Sequence, residues 1–215
     1  VRPAEVGVLA SLGMASVAVI RRPVVAILAT GNELLEVGEP VGPAKIYDSN
    51  SFSVAASVVK YGGIPRVLGI ARDNLEDLNL KISQGADSDL LITSAGVSKG
   101  DYDIVKDVLM ERGEISFWSV RMRPAKPLAF GAIHSPGGGQ VPHLGLPGNP
   151  VSTMVAFEEF ARPAILKMLG KTRLAKPTID AVLEGPIYNV DDRRVFARVE
   201  ITQRDGTYYA NPTGP

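Results

Sequence analysis

The 215-residue chain carries 23 Lys and Arg against 23 Asp and Glu, so no net field draws it to nucleic acid or to an anionic membrane, and any anion site must be local. It has no cysteine, which excludes disulfides and thiolate metal centres and agrees with a reducing compartment. No run reaches the roughly 18 apolar residues of a membrane span, and the first residues lack the basic, apolar and small-residue order of a signal peptide, so a cytoplasmic protein is expected.

The chain opens on Val1 rather than Met and stops at Asn211–Pro215 in what reads as mid-loop, as a fragment of a longer protein would. Pro3 suits the first turn of a short helix through Leu12, with Gly13 to end it. Ser16 to Ile20 alternates weakly and predicts a strand, stopped by Arg21-Arg22-Pro23. Residues 1–22 therefore read as the remnant of a preceding domain or linker.

From residue 23 to residue 171 strands and helices alternate. Val24 to Ala29 is a fully apolar run, as buried parallel strands tend to be, and it ends at Thr30-Gly31-Asn32-Glu33. Asp48 to Ser51 offers capping residues for a helix to Tyr61. A strand over Arg66 to Ala71 ends in Arg72-Asp73-Asn74, a helix covers Leu75 to Gln84, and a strand over Asp89 to Thr93 feeds a loop that runs to Asp103. After a helix from Ile104, strands are predicted over Ile115 to Val120, Leu128 to Ile133 and Val141 to Leu146. A long apolar helix follows from Val151 to Leu169, with Pro163 inside it predicting a kink or a break. The fold class is α/β, three-layered, with a mostly parallel sheet. Residues 172–215 then turn to short strands, Thr178 to Leu183, Val195 to Thr202 and Thr207 to Ala210, with Asp205-Gly206 a hairpin signal. They read as part of a small all-β, barrel-like domain.

Polar residues gather at the strand ends, which share one rim if the sheet is parallel. The 93–103 loop can be a simple βα turn in which Asp101 caps the next helix. It can equally be a ligand loop, because Asp101 and Asp103 are spaced to hold a divalent cation together with phosphate oxygens. At Leu146 to Ser152, Asn149 is an N-cap and Pro150 the first helical residue, which also leaves unpaired N–H groups facing an anion. Arg123 and Lys126 can be solvated cations, or a proline-stiffened grip on a tetrahedral oxyanion. His134 and His143 have no metal-ligand spacing and read as structural.

Thr-Gly-Asn-Glu-Leu at 30–34, Ile-Tyr-Asp-Ser-Asn at 46–50, Arg-Asp at 72–73, Ser-Ala-Gly-Val-Ser-Lys-Gly-Asp-Tyr-Asp at 94–103, Arg-Pro-Ala-Lys-Pro at 123–127 and Leu-Pro-Gly-Asn-Pro-Val-Ser at 146–152 follow one another in an order that resembles the molybdopterin molybdotransferases, the MoeA and gephyrin E-domain family. The resemblance spans residues 1–215, and residues 24–170 are also similar to the wider molybdopterin-binding (MogA-like) fold. It implies Mg²⁺-dependent insertion of molybdate into adenylylated molybdopterin with release of AMP. By motif it implies Glu33, Asp73 and Asp103 as the acidic catalytic and metal-binding set, with Asp101 beside them. Thr30, Gly31, Ser94, Gly96, Ser98, Gly148, Asn149 and Ser152 would bind the pterin and its phosphate. Arg123, Lys126, Pro127, Ser152 and Arg198 would hold molybdate. It also implies a homodimer in the full-length form. A gephyrin-like scaffold and a molybdopterin adenylyltransferase are the alternatives. Three positions depart from the family pattern: Ala95 and Ala125 stand where glycine is common, and Lys99 where a small apolar residue is.

Overall fold

The computed structural model describes residues 1–95, 104–135, 137–189 and 191–214. Helix α1 (Pro3–Ser11) opens the chain with Pro3 at its first position and Glu5 bonded back to the Arg2 backbone, as a capping box requires. Residues 16–20 do not form the expected strand. They are irregular and exposed, because weak alternation without a sheet edge to pair with leaves the backbone groups to solvent. The following arginines anchor them to the fold: Arg21 grips Asp89, and Arg22 donates to the carbonyls of Gly62 and Gly63 at 2.8 and 2.6 Å.

Strand β1 (Val24–Thr30) is followed by a loop carrying two short strands, β2 (Leu34–Leu35) and β3 (Ile46–Tyr47), which pair in parallel. Then come α2 (Asn50–Lys60), β4 (Ile64–Ala71), α3 (Leu75–Gly85), β5 (Leu90–Ser94), α4 (Ile104–Arg112), β6 (Gly113–Ser119), the short β7 (Met122–Arg123), β8 (Pro127–His134) and β9 (Gln140–Leu146). The six-stranded sheet has the order β4-β1-β5-β9-β8-β6, with β8 alone running against its neighbours.

Side chains alternate across each strand, and the continuous apolar runs bury both faces. Val25, Ile27, Leu90, Ile92, Leu144 and Leu146 point into one core with Val54 and Val58 of α2. Ala26, Leu28 and Leu91 point into the other, against Leu78 and Ile82 of α3 and Val105, Val108 and Leu109 of α4. The result is the expected three-layer α/β architecture. The predicted long helix is broken as Pro163 foretells: α5 (Pro150–Ala156) passes through a π turn (Phe157–Ala161) into α6 (Arg162–Met168). Pro163 has no N–H to give and its ring crowds the carbonyl four residues back, which a widened turn accommodates. Phe157, Ala161 and Ile165 keep the helix face sealed on the first core.

Two of the C-terminal strands differ from the prediction, and the last runs on to Pro212. Of the predicted 178–183 strand only β10 (Val182–Leu183) forms, and the predicted 195–202 strand divides into β11 (Arg194–Val195) and β12 (Val199–Arg204). The division has a cause in pairing: β11 lies parallel to β7 of the α/β unit, whereas β12 pairs with β13 (Thr207–Pro212), which also takes β10. Asp205 and Gly206 both hold positive φ, 48° and 78°, as a two-residue type I′ hairpin demands.

Candidate functional site

In register, the parallel strands end side by side. Thr30 stands level with Ala71, Ala29 with Ser94, and Ser94 with Leu146. Because β8 is antiparallel it begins where they end, so the 120–126 loop joining β6 to β8 lies on the same rim. Ala129 pairs with Gly145, and following that register puts Pro127 beside Pro147.

At the end of β1, the Thr30 hydroxyl is buried and donates to the Ser94 carbonyl at 3.3 Å, tying two of the rim loops together. Gly31 sits at φ +143°, and a Cβ there would stand 2.5 Å from Glu33 Oε2, so the carboxylate folds back over bare backbone. The next residue clasps the β4 loop. Asn32 N–H donates to Asp73 Oδ2 and Asp73 N–H donates to Asn32 Oδ1, both at 3.2 Å. Glu33 and Asp73 are thereby held on adjoining loops, both exposed. Arg72 points away to the Leu34 carbonyl, and Asn74 caps α3 by accepting from Asp77 N–H at 2.9 Å. Gly96, Ser98, Lys99, Asp101 and Asp103 lie outside the described residues. Among the described residues no group of three or more His, Asp or Glu is placed to hold a metal ion, so Glu33 and Asp73 are the two described members of the predicted acidic set.

At the end of β9, Asn149 Oδ1 accepts from Ser152 N–H at 3.2 Å, making it the N-cap the sequence suggests, with Pro150 first in the helix. Thr153 Oγ locks the turn by donating to the Pro147 and Asn149 carbonyls. Gly148 and Asn149 are exposed, and Ser152 is half-buried. The 120–126 loop is closed by Val120 N–H on the Lys126 carbonyl at 2.8 Å, leaving the Arg123 and Lys126 side chains exposed with Pro127 half-buried beneath. Its far side is held by the β unit: Arg194 N–H donates to the Arg121 carbonyl, Phe196 N–H to the Arg123 carbonyl, and Arg121 grips Asp192. Arg198 follows two residues later, exposed, just before β12.

Two features lie off this rim chemistry. His143 is fully buried within β9, its Nε2 3.1 Å from Thr93 Oγ, and burial pushes its pKa down to about 3, so it is a neutral structural residue as expected. A largely apolar pocket lined by Trp118, Ser119, Val120, Leu128, Phe130, Leu144, Phe160 and Ala164 holds no charged side chain. The sequence places Asn32 only at a strand end, although its partner is 41 residues away, and Asn50 only among capping residues, although its amide donates to the Gly148 carbonyl at 2.8 Å. A polar residue opening a helix after a rim loop is the signal that marks Asn50.

Residues 26–167 match the family model described as a probable molybdopterin binding domain. The chain is 36% identical over 213 residues to the molybdopterin molybdenumtransferase of Haemophilus influenzae, covering 99% of this chain and 50% of that one. It is 40% identical over 194 residues to the protein of the same name from Nostoc sp., covering 89% and 44%. The molybdopterin biosynthesis MoeA protein of Pyrococcus horikoshii superposes with a TM-score of 0.77 at 30% identity, over 99% of this chain and 50% of that one. The chain thus spans about half the length of the curated relatives it matches.

Proposed function

Since the chain belongs to the molybdopterin-binding family, in its molybdopterin molybdotransferase (MoeA) group, we propose that it acts in molybdenum cofactor biosynthesis by Mg²⁺-dependent insertion of molybdate into adenylylated molybdopterin, with release of AMP. The observation that carries the reading is the single rim, on which an acidic pair, a helix start and a basic loop stand at neighbouring strand ends. Residues 23–171 would be the pterin-binding domain and residues 172–215 part of a β domain that completes the basic loop. The cytoplasm and a homodimer of the whole protein belong to the same proposal.

Each part has a task that its chemistry suits. The N–H groups at Asn149 to Ser152 and the backbone at Thr30 and Gly31 would receive phosphate oxygens, with Ser94 and the Ser152 hydroxyl adding polar contacts. Arg123, Lys126 and Arg198 would hold molybdate, a tetrahedral dianion, above Pro127. Glu33 and Asp73 present only carboxylate oxygens, a donor set that fits a hard cation, and Asp101 and Asp103 would complete it. Mg²⁺ held there would supply the positive charge that eases loss of AMP from the adenylylated substrate. Glu33 and Asp73 would fix that charge on the β1 and β4 loops, which the Asn32–Asp73 clasp ties together.

The test is release of AMP from adenylylated molybdopterin in the presence of Mg²⁺ and molybdate, by the chain joined to the flanking regions its relatives carry. Asp73→Asn should lower the rate by at least tenfold with unchanged thermal stability. No AMP release by the intact protein would sink the reading.

A further inference from the structure

The helix that starts at Asn149 carries the chain away from the rim. It ends at the foot of the sheet, where Leu169 lies against Gly62 and Arg22, just before β1, binds the Gly62 carbonyl. Its last bonds run from the N–H groups of Gly170 and Lys171 to the Lys167 and Leu166 carbonyls, both at 2.9 Å. Yet β11 pairs with β7 beside the rim, so residues 172–181 must double back along the helix. They form no regular structure and almost all of them are exposed. Among the described residues, the one polar tie between this linker and the α/β unit is Lys176 Nζ on Glu158 Oε2, at 2.7 Å. From Glu158 to the end of the helix is roughly 18 Å at 1.5 Å per residue, and residues 171–176 reach about 20 Å when extended, so the returning linker brings Lys176 level with Glu158.

The receiving carboxylate is fixed without help from the linker. The Tyr61 hydroxyl donates between its two oxygens, 2.8 and 2.9 Å away. Arg162, only 8% exposed, places Nε 3.4 Å from Glu158 Oε2 and donates to the Glu158 carbonyl at 3.1 Å. Its guanidinium lies 5.9 Å from the centre of the Tyr61 ring, which stacks on Phe157 at 6.2 Å. An exposed ion pair contributes little when two long side chains must be ordered to make it. Here Glu158 is already ordered by its own unit, and only the lysine has freedom to lose.

We propose that Glu158 and Lys176 form a latch that pins the linker and so holds the β unit against the basic loop, as positioning residues and not catalytic ones. With the pair made, the free chain between the units runs over 177–181; with it broken, it runs over 172–181, about twice the length. Closure weakens as about the three-halves power of loop length, so the docking of β11 on β7 should loosen by about threefold. The latch stands on these contacts whatever ligand the rim takes.

The experiment compares wild type, Lys176→Ala and Lys176→Arg as full chains, by trypsin nicking and by amide hydrogen exchange. Trypsin can cut the linker after Lys171 and Arg173 but not after Lys176, which precedes Pro177, so neither substitution adds or removes a site. Lys176→Ala should raise the nicking rate about threefold or more, because cleavage follows the population of the open form. The N–H groups of Arg194 and Phe196, which donate to the Arg121 and Arg123 carbonyls, should exchange about threefold faster, while Leu91 and Ile92 in the central strand stay unchanged. Lys176→Arg should behave as wild type, since a guanidinium meets the same carboxylate. Unchanged nicking and exchange in Lys176→Ala, or a Lys176→Arg no better protected than Lys176→Ala, overturns the latch. Faster nicking without faster exchange at Arg194 and Phe196 overturns its hold on the basic loop. An equal rise at Leu91 and Ile92 marks a general loosening and overturns it as well.

Discussion

Ala95 holds φ at +77°, in the left-handed region where an L side chain costs about 1–2 kcal/mol. Glycine there relieves that cost and gives back about 0.5–1 kcal/mol through the greater freedom of the unfolded chain, so Ala95→Gly should stabilise by about 1 kcal/mol. For a chain of this size that is a rise in Tm of about 2–4 °C. The same methyl constrains the neighbouring loop. A Cβ on Gly148 would lie 3.3 Å from Ala95 Cβ and 3.7 Å from its Cα, so Gly148→Ala must push the loop by a few tenths of an ångström, at a cost of about 1 kcal/mol. In the Ala95→Gly background that obstacle is gone, and Gly148→Ala should become nearly neutral. Urea unfolding of wild type, both single variants and the double variant then gives a coupling of about 1 kcal/mol favouring the double. Ala125 provides a contrast: its φ is +69°, but its methyl is buried in the core, so about 0.8 kcal/mol of lost burial should offset the relief and leave Ala125→Gly close to zero. A destabilised Ala95→Gly, or a coupling below about 0.3 kcal/mol, would refute the strain account.

His143 makes the fold sensitive to acid. Its folded pKa of about 3 lies below the ordinary 6.5, so the unfolded chain takes up a proton that the native state refuses. Stability is therefore full above pH 6.5 and falls toward pH 3 by up to about 1.4 kcal/mol per pH unit, and His143→Gln should flatten that limb in pH-dependent unfolding. Arg123→Ala and Lys126→Ala should each weaken molybdate binding about tenfold in equilibrium dialysis, and an unchanged affinity returns both side chains to ordinary solvated cations. Phe196→Ala removes packing from the first core beside the basic loop without removing charge. It should lower molybdate affinity severalfold with both cations intact, and full retention of affinity would show that the β11 contact does not position the loop.

The parts of the fold that the sequence reveals are those decided locally. Val24 to Ala29 is apolar at every position and is buried on both faces, and Leu75 to Gln84 is bounded by Asn74 and ends within a residue of the observed helix. Asn149 and Pro150 mark a helix start by residue chemistry alone. What stays hidden depends on partners distant in the chain. Leu34 and Leu35 become a strand only because Ile46 and Tyr47 lie beside them, and Met122–Arg123 only because Arg194–Val195 does. Ser16 to Ile20 errs in the opposite direction: its pattern suits a strand, but a strand needs a neighbour and none is present among the described residues. The site divides the same way. Glu33 and Asp73 are recognisable from their motifs, but the Asn32 clasp that holds their loops together spans 41 residues and leaves no local trace.

The pairing of β7 with β11 gives the divided C-terminal strand a physical sense. A loop that carries two exposed cations is repelled by its own charge and gains from backbone support from outside. Here the support comes from residues 192–196, through the carbonyls of Arg121 and Arg123, the Arg121–Asp192 ion pair and the Phe196 ring set against the core. Had residues 194–202 remained one strand of the small sheet, those carbonyls would have lost their donors. The break between β11 and β12 is therefore where the β unit leaves its own sheet to hold the basic loop, and Arg198 lies in that break.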